Sequence, residues 1–179
     1  SLGYKGLGRI NAVAFHPNNP NIFYIGAPSG GLWHTYDGGN TWGSNTDSLP
    51  TLGVSAIIVD YSNPNTIYIG SGDRDASDAV GLGVLRSTNG GSTWHLWNNG
   101  MGEKTVGRLI QHPTNPSTLL AATSGGIFKT TDGGANWAIK KTGNFKDIVF
   151  KPNNPDIIYA CSGANFFRST DGGENFTQI

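Results

Sequence analysis

Asp73, Arg74, Asp75 and Asp78 fall within one glycine-bounded stretch, Ser71-Gly-Asp-Arg-Asp-Ala-Ser-Asp-Ala-Val-Gly-Leu-Gly83. Carboxylates and a guanidinium gathered on a loop suit hydrogen bonding to a polar ligand, because a rigid scaffold can hold such a loop in place. A surface insertion without a ligand is the other reading. A second set of oxygen ligands, Asp37, Asn89, Asp132 and Asp171, precedes paired glycines at four places. Calcium needs several convergent oxygens, and one carboxylate or amide per turn is too few, so no metal is expected there. The four histidines show no metal-ligand spacing. His16 and His112 stand in matching places before a proline, which points to a structural role. Cys161 lies in an apolar run without a base beside it, and is expected as a buried, unpaired thiol. Gly81-Leu-Gly83 lacks the strand-loop-helix setting of a phosphate loop, so no nucleotide cofactor is expected.

The elements that must position these residues repeat. Thr35-Tyr-Asp-Gly-Gly-Asn-Thr-Trp42, Ser87-Thr-Asn-Gly-Gly-Ser-Thr-Trp94, Thr130-Thr-Asp-Gly-Gly-Ala-Asn-Trp137 and Ser169-Thr-Asp-Gly-Gly-Glu-Asn-Phe176 share one pattern: Ser/Thr, Asp or Asn, two glycines, an aromatic. The Asp/Asn positions are 52, 43 and 39 residues apart. An Asn/Pro turn followed by an apolar run precedes each copy, as in His16-Pro-Asn-Asn-Pro-Asn-Ile-Phe-Tyr-Ile-Gly26 and Lys151-Pro-Asn-Asn-Pro-Asp-Ile-Ile-Tyr-Ala-Cys161. A unit of this length matches one propeller blade. With 27 glycines, 9 prolines and only 13% charged residues, the composition suits short strands and tight turns rather than helices. Formal net charge is zero, which forecasts neither nucleic acid nor an acidic membrane as partner. No apolar run is long enough to cross a bilayer as a helix.

Each unit offers four strands. The first, Ile10–Phe15, Val54–Val59, Val106–Ile110 or Phe145–Phe150, is apolar throughout. It is expected to be buried on both faces, nearest the axis. The third, Leu32–Thr35, Val84–Ser87, Ile127–Thr130 or Phe166–Ser169, runs into the hairpin, and a fourth is expected to begin at the aromatic. Glycine accepts the positive φ of such a hairpin without a Cβ clash. The Asp and the Ser/Thr hydroxyl can bond the turn's own backbone. Asp37, Gly39 and Trp42, with Asn89, Gly91 and Trp94, Asp132, Gly134 and Trp137, and Asp171, Gly173 and Phe176, are therefore read as structural. Asn89 lacks the charge, so its hairpin is expected to be slightly weaker. The fold class that follows is all-β: one propeller segment over residues 1–179, with blades at about 9–47, 53–98, 105–141 and 144–179. Four such units are expected to be an arc of a larger ring.

These motifs resemble the BNR or Asp-box repeat found in β-propellers of sialidases, sortilin-like receptors, xyloglucanase-type glycoside hydrolases and many secreted bacterial proteins. The resemblance covers all four units. It implies that the Asp turns lie between third and fourth strands at the periphery, away from the ligand face. It also implies a secreted or cell-surface location, with a protein or a glycan as ligand and the remaining blades of the ring as partners. The sialidase signature Phe/Tyr-Arg-Ile-Pro is missing. Arg9, Arg74, Arg86, Arg108 and Arg168 are the arginines, and Arg86 and Arg168 share a third-strand slot with His34 and Lys129 that reads as outward and solvated. Where xyloglucanase-type enzymes carry an Asp before the first Gly-Gly, this chain has Ala27-Pro28-Ser29-Gly30-Gly31. Pro28 removes one carboxylate of the pair that glycoside hydrolysis uses. The expectation is a non-catalytic binding or scaffold module with no catalytic residue in this segment. A glycoside hydrolase with its carboxylates elsewhere, and a purely structural segment, are the alternatives. The second unit alone has 25 positions from its Pro to its Asn (64 to 89), against 17, 16 and 16, and the excess is the Asp73 stretch. It joins second and third strands, on the face opposite the Asp turns.

Overall fold

The computed structural model describes residues 9–76 and 79–179; Asp78 of the candidate loop lies outside them. Among the described residues, sixteen strands form four antiparallel sheets, each pairing its strands in chain order. Blade one holds β1 (Ala12–His16), β2 (Asn19–Ala27), β3 (Gly31–Thr35) and β4 (Gly43–Ser44). Blade two holds β5 (Val54–Val59), β6 (Ile67–Ser71), β7 (Val84–Ser87) and β8 (His95–Leu96). Blade three holds β9 (Val106–Gln111), β10 (Leu119–Thr123), β11 (Gly126–Thr130) and β12 (Ala138–Thr142). Blade four holds β13 (Asp147–Lys151), β14 (Asn154–Ser162), β15 (Asn165–Ser169) and β16 (Thr177–Gln178). The fold expected from the repeats is the fold that forms. The fourth strands begin one residue after the aromatic, because the ring is still folded back onto its hairpin: Trp42 Nε1 donates to the Gly39 carbonyl.

The hairpins close through local chemistry that recurs in every blade. Thr130 Oγ1 donates to Asp132 Oδ1 (2.7 Å) and accepts the Gly134 N–H (3.0 Å). Asp132 then accepts the backbone N–H and the side-chain amide of Asn136. Both glycines take positive φ, 69° and 85°, where a Cβ would clash. Asn89 preserves the arrangement by accepting the Thr93 N–H with its oxygen and donating to the Thr93 hydroxyl with its nitrogen. Two of the four histidines serve the Asn/Pro turns. His112 Nδ1 accepts the Asn115 N–H, and His16 Nδ1 accepts the Asn18 N–H.

First strands gather at the axis: β1 packs on β5, β5 on β9 and β9 on β13. Period-two alternation gives each sheet two apolar faces, one toward the preceding blade and one toward the next. Between blades one and two, Tyr24 and Leu32 meet Val54, Ile69 and Leu85. Between two and three, Ile58, Tyr68 and Val84 meet Leu109, Phe128 and Trp137. Between three and four, Leu120 and Ile127 meet Ile148, Phe167 and Phe176. Each fully buried aliphatic or aromatic side chain here contributes about 1.5–3 kcal/mol. Small residues on the second strand admit the next blade closely: a Cβ on Gly26 would sit 2.7 Å from Val54 Cγ1, and one on Gly70 2.6 Å from Val106 Cγ1.

Among the described residues, blade four makes no such seam with blade one, so the blades form an arc. Two expectations fail for that reason. The first strands of the end blades are not buried on both faces; β1 and β13 alternate with exposed positions, whereas β5 is buried almost throughout. Cys161 is only half-buried, on the open face of blade four.

Candidate functional site

Asn11, Ser55, Gly107 and Lys146 hold one matching slot, at or beside the start of the first strand in each blade, and all four contact the Asp73–Arg74 segment. Asn11 Nδ2 donates to Asp73 Oδ1 (3.4 Å) and to Ser55 Oγ (3.1 Å). Ser55 Oγ accepts the Arg74 N–H (3.2 Å). The Gly107 carbonyl accepts from Arg74 Nη1 (3.2 Å). Lys146 Nζ donates to the Arg74 carbonyl. The Asp73–Arg74 part of the second-to-third strand connection of blade two is therefore folded inward against the starts of all four inner strands.

The candidate loop residues have different fates there. The Asp73 side chain is fully buried; it accepts from Arg9 Nη2 (2.5 Å) and from the Asp75 N–H (3.1 Å). Burying a carboxylate is tolerated when a cation and several donors compensate it, so Asp73 anchors the loop to blade one. Arg74 and Asp75 reach solvent and form a pair at 3.5 Å. A polar cavity of about 70 Å³ lies beside them, lined by Asp73, Arg74, Thr105, Ser124, Asn144 and Lys146 among others. Arg108 and Asp147, both half-exposed and 3.7 Å apart, extend the polar surface between blades three and four. Lys146 and Asn144 belong to no motif of the sequence, and Arg108 stands out there only as one of five arginines. For Lys146 the signal was the slot: Asn11, Ser55, Gly107 and Lys146 align, and only the last is charged.

The Asp and Asn residues of the hairpins sit elsewhere, at the third-to-fourth strand turns. Hydrogen bonds hold their carboxyls below the ordinary range: the Thr41 backbone N–H does so first for Asp37, and the Asn136 amide first for Asp132, each to about 2. The Asn175 amide lowers Asp171 further still. Stabilised ionised carboxylates within their own turn suit structure, not proton donation. No group of three or more His, Cys, Asp or Glu that could hold a metal occurs among the described residues.

The basic third-strand slot differs from the solvated position expected of it. Lys129 Nζ is nearly buried and donates across the seam to the Gly172 carbonyl (2.8 Å) and Glu174 (2.6 Å). Arg86 stacks over Trp97 (4.9 Å) and Tyr68 (5.7 Å), and both of these donate to the Gly133 carbonyl of blade three. The slot faces the next blade's hairpin. Arg168, with no next blade beside it, is exposed.

Four radial four-stranded sheets with a loop drawn over the axis define an arc of a β-propeller. The known proteins it resembles agree. No protein-family model matches the sequence. A xyloglucanase of Acetivibrio thermocellus is 30% identical over 148 residues, which is 74% of this chain and 18% of that protein. The crystal structure of an ancestral GH74 enzyme superposes with a TM-score of 0.81 at 23% identity, covering 96% of this chain and 24% of that one. YCF48 bound to a D1 peptide gives a TM-score of 0.66 at 18% identity, over 53% of its chain. At these identities the structural likeness bears on the fold. The chain spans less than a fifth of the length of the curated relatives it matches.

Proposed function

We propose that this arc is the ligand-presenting, non-catalytic part of an extracellular propeller that binds a glycan chain across its axial face, through Arg74 and Asp75 with Lys146 and Arg108 beside them. The observation that carries this reading is the inward-folded loop. Four blades each spend one residue holding it at the axis, and it presents adjacent cationic and anionic groups there. A polysaccharide offers many hydroxyls, and paired charges in a shallow polar surface suit charge-assisted bonds to them. The sequence likeness to xyloglucanases favours a glycan over a protein ligand. Catalysis within the segment is disfavoured. Asp73, Asp75 and Asp147 are each engaged by an arginine, whereas glycoside hydrolysis needs one carboxyl poised to give up a proton. Pro28 stands in the turn where a xyloglucanase-type carboxylate is wanted.

Calorimetry and affinity electrophoresis with soluble xyloglucan, with a mixed-linkage β-glucan and a mannan as comparators, test the reading. Binding with a Kd between about 1 μM and about 1 mM is expected. Arg74→Ala and Asp75→Ala should weaken it, and no reducing ends should be released. Absence of binding to every glycan, or binding unchanged in both variants, overturns the reading. Release of reducing ends would instead favour the second reading, a glycoside hydrolase. That reading draws on the chain's small share of its enzyme relatives.

A further inference from the structure

We propose that Asn99 is a modification site of the folded protein, where a side-chain amide becomes a carboxylate in the seam between blades two and three. The sequence has two Asn-Gly pairs, Asn89-Gly90 and Asn99-Gly100. In such a pair the glycine nitrogen can attack the asparagine Cγ, because glycine has no side chain to hinder the approach. The new N–C bond replaces the bond to the side-chain nitrogen. The glycine N–H proton is lost, ammonia leaves, and a five-membered succinimide ring remains. Water then opens the ring at either carbonyl. One opening gives aspartate; the other gives isoaspartate, whose main chain runs through the former side-chain carbon. No oxidant or reductant enters.

The attack turns the Asn-Gly peptide out of its folded position, so its rate follows the local bonds that must break first. Asn89 is tied on every side. Its Oδ1 accepts from Ser87 Oγ (2.9 Å) and from the Thr93 N–H (2.9 Å), and its Nδ2 donates to Thr93 Oγ1 (2.9 Å). The attacking nitrogen is held as well: the Gly90 N–H donates to the Asn65 carbonyl (2.9 Å). The hairpin that lets an amide replace a carboxylate therefore also shields it. Asn99 is exposed, in a turn closed by the Met101 N–H on the Asn98 carbonyl. Its Nδ2 donates to Asn136 Oδ1 (2.7 Å), and its carbonyl accepts the Trp137 N–H (2.8 Å). The Gly100 N–H donates to no acceptor among the described residues. Both bonds of Asn99 cross to blade three, so it reacts when that seam parts locally.

The product does not remake the contact. Asn136 donates its own Nδ2 to Asp132 Oδ2 (2.8 Å), which leaves its oxygen facing position 99. A carboxylate there meets an acceptor instead of supplying a donor. Turning the Asn136 amide over would give up its bond to Asp132. Isoaspartate also lengthens the main chain by one carbon beside Gly100, where an added Cβ would already lie 2.2 Å from the Trp137 carbonyl oxygen. Modification thus makes a transient parting of the seam a lasting one.

Incubation in mildly alkaline buffer, with and without denaturing urea, tests this. Peptide mapping by mass spectrometry reads the amide-to-acid conversion at each asparagine, and enzymatic methylation counts isoaspartate. In the fold, Asn99 should convert at least about tenfold faster than Asn89. In urea the two should convert at similar rates, because the bonds that separate them are gone. Asn99→Gln should abolish conversion at that position. The consequence is read from a pair of variants. Asn99→Asp should lower the urea midpoint, with an early change in the fluorescence of Trp97, which bonds across the same seam. Asn89→Asp makes the same change of group inside a hairpin that accepts a carboxylate in the other three blades, and should leave the midpoint unchanged or raised. Equal conversion of both asparagines in the fold overturns the proposal, as does an Asn99 that converts only in urea. An Asn99→Asp variant with the midpoint of the parent overturns the lasting opening of the seam.

Discussion

Replacing Thr130 by valine removes a hydroxyl while keeping the shape of the side chain, so its effect measures hydrogen bonding rather than packing. Thr130 is buried. Its Oγ1 donates to Asp132 at 2.7 Å and accepts the N–H of Gly134 at 3.0 Å and of Asp132 at 3.3 Å. Gly134 is itself buried, so valine strands its N–H at a cost of about 1–3 kcal/mol. Loss of the hydroxyl-to-carboxylate bond, discounted for the exposure of Asp132, adds about 1 kcal/mol. The expected destabilisation is therefore about 2–4 kcal/mol, with Thr130→Ser within about 1 kcal/mol of the parent. The damage should spread, because the next residue along the turn, Gly133, accepts from Tyr68 and Trp97 of blade two. Urea unfolding followed by tryptophan fluorescence reads both effects, as a lower midpoint and an early change at Trp97. A midpoint shift in Thr130→Val worth under about 0.5 kcal/mol would refute the view that this hydroxyl closes the hairpin.

Acid should weaken the arc in a defined window. Asp37 and Asp132 titrate near 2 in the fold against an ordinary 3.8, and Asp171 lower still. Depressed folded values mean that their contribution is complete above the ordinary value and lost as pH falls through the folded ones. Urea midpoints should thus fall below about pH 4, and Asp132→Asn should flatten the fall, as Asn89 shows that an amide fits the turn; an unchanged slope would refute this. Asp73→Ala should cost about 2 kcal/mol after discounting the half-exposed Arg9, and hydrogen exchange should show faster amides from Gly72 to Asp75. Equal exchange in parent and variant would remove Asp73 as the loop's anchor. Gly100→Ala should destabilise by about 2 kcal/mol or more in thermal unfolding, since φ is +82° and the added carbon would lie 2.2 Å from the Trp137 carbonyl oxygen; a variant as stable as the parent would show that the blade-two-to-three seam yields there.

Residue order was enough to read the sheets and their hairpins, because everything that closes those turns lies within eight residues. The Ser/Thr hydroxyl, the carboxylate and the two positive-φ glycines find one another whatever the rest of the chain does. The extra length before Asn89 was legible for the same reason, as a break in a period. Contacts between blades depend instead on how the sheets are set around the axis. Lys129 and Glu174 are 45 positions apart, and nothing local tells a lysine at the end of a third strand that it faces a carbonyl rather than water. Likewise Asp73 and Arg74 read as equals in a polar loop, and packing alone separates them. Asp73 turns inward to Arg9, 64 positions away, while Arg74 lies across the first strands of blades two and three. Burial is a property of neighbours: Cys161 and Phe166 stay partly open because no blade lies against them, although their counterparts Ala122 and Ile127 are sealed.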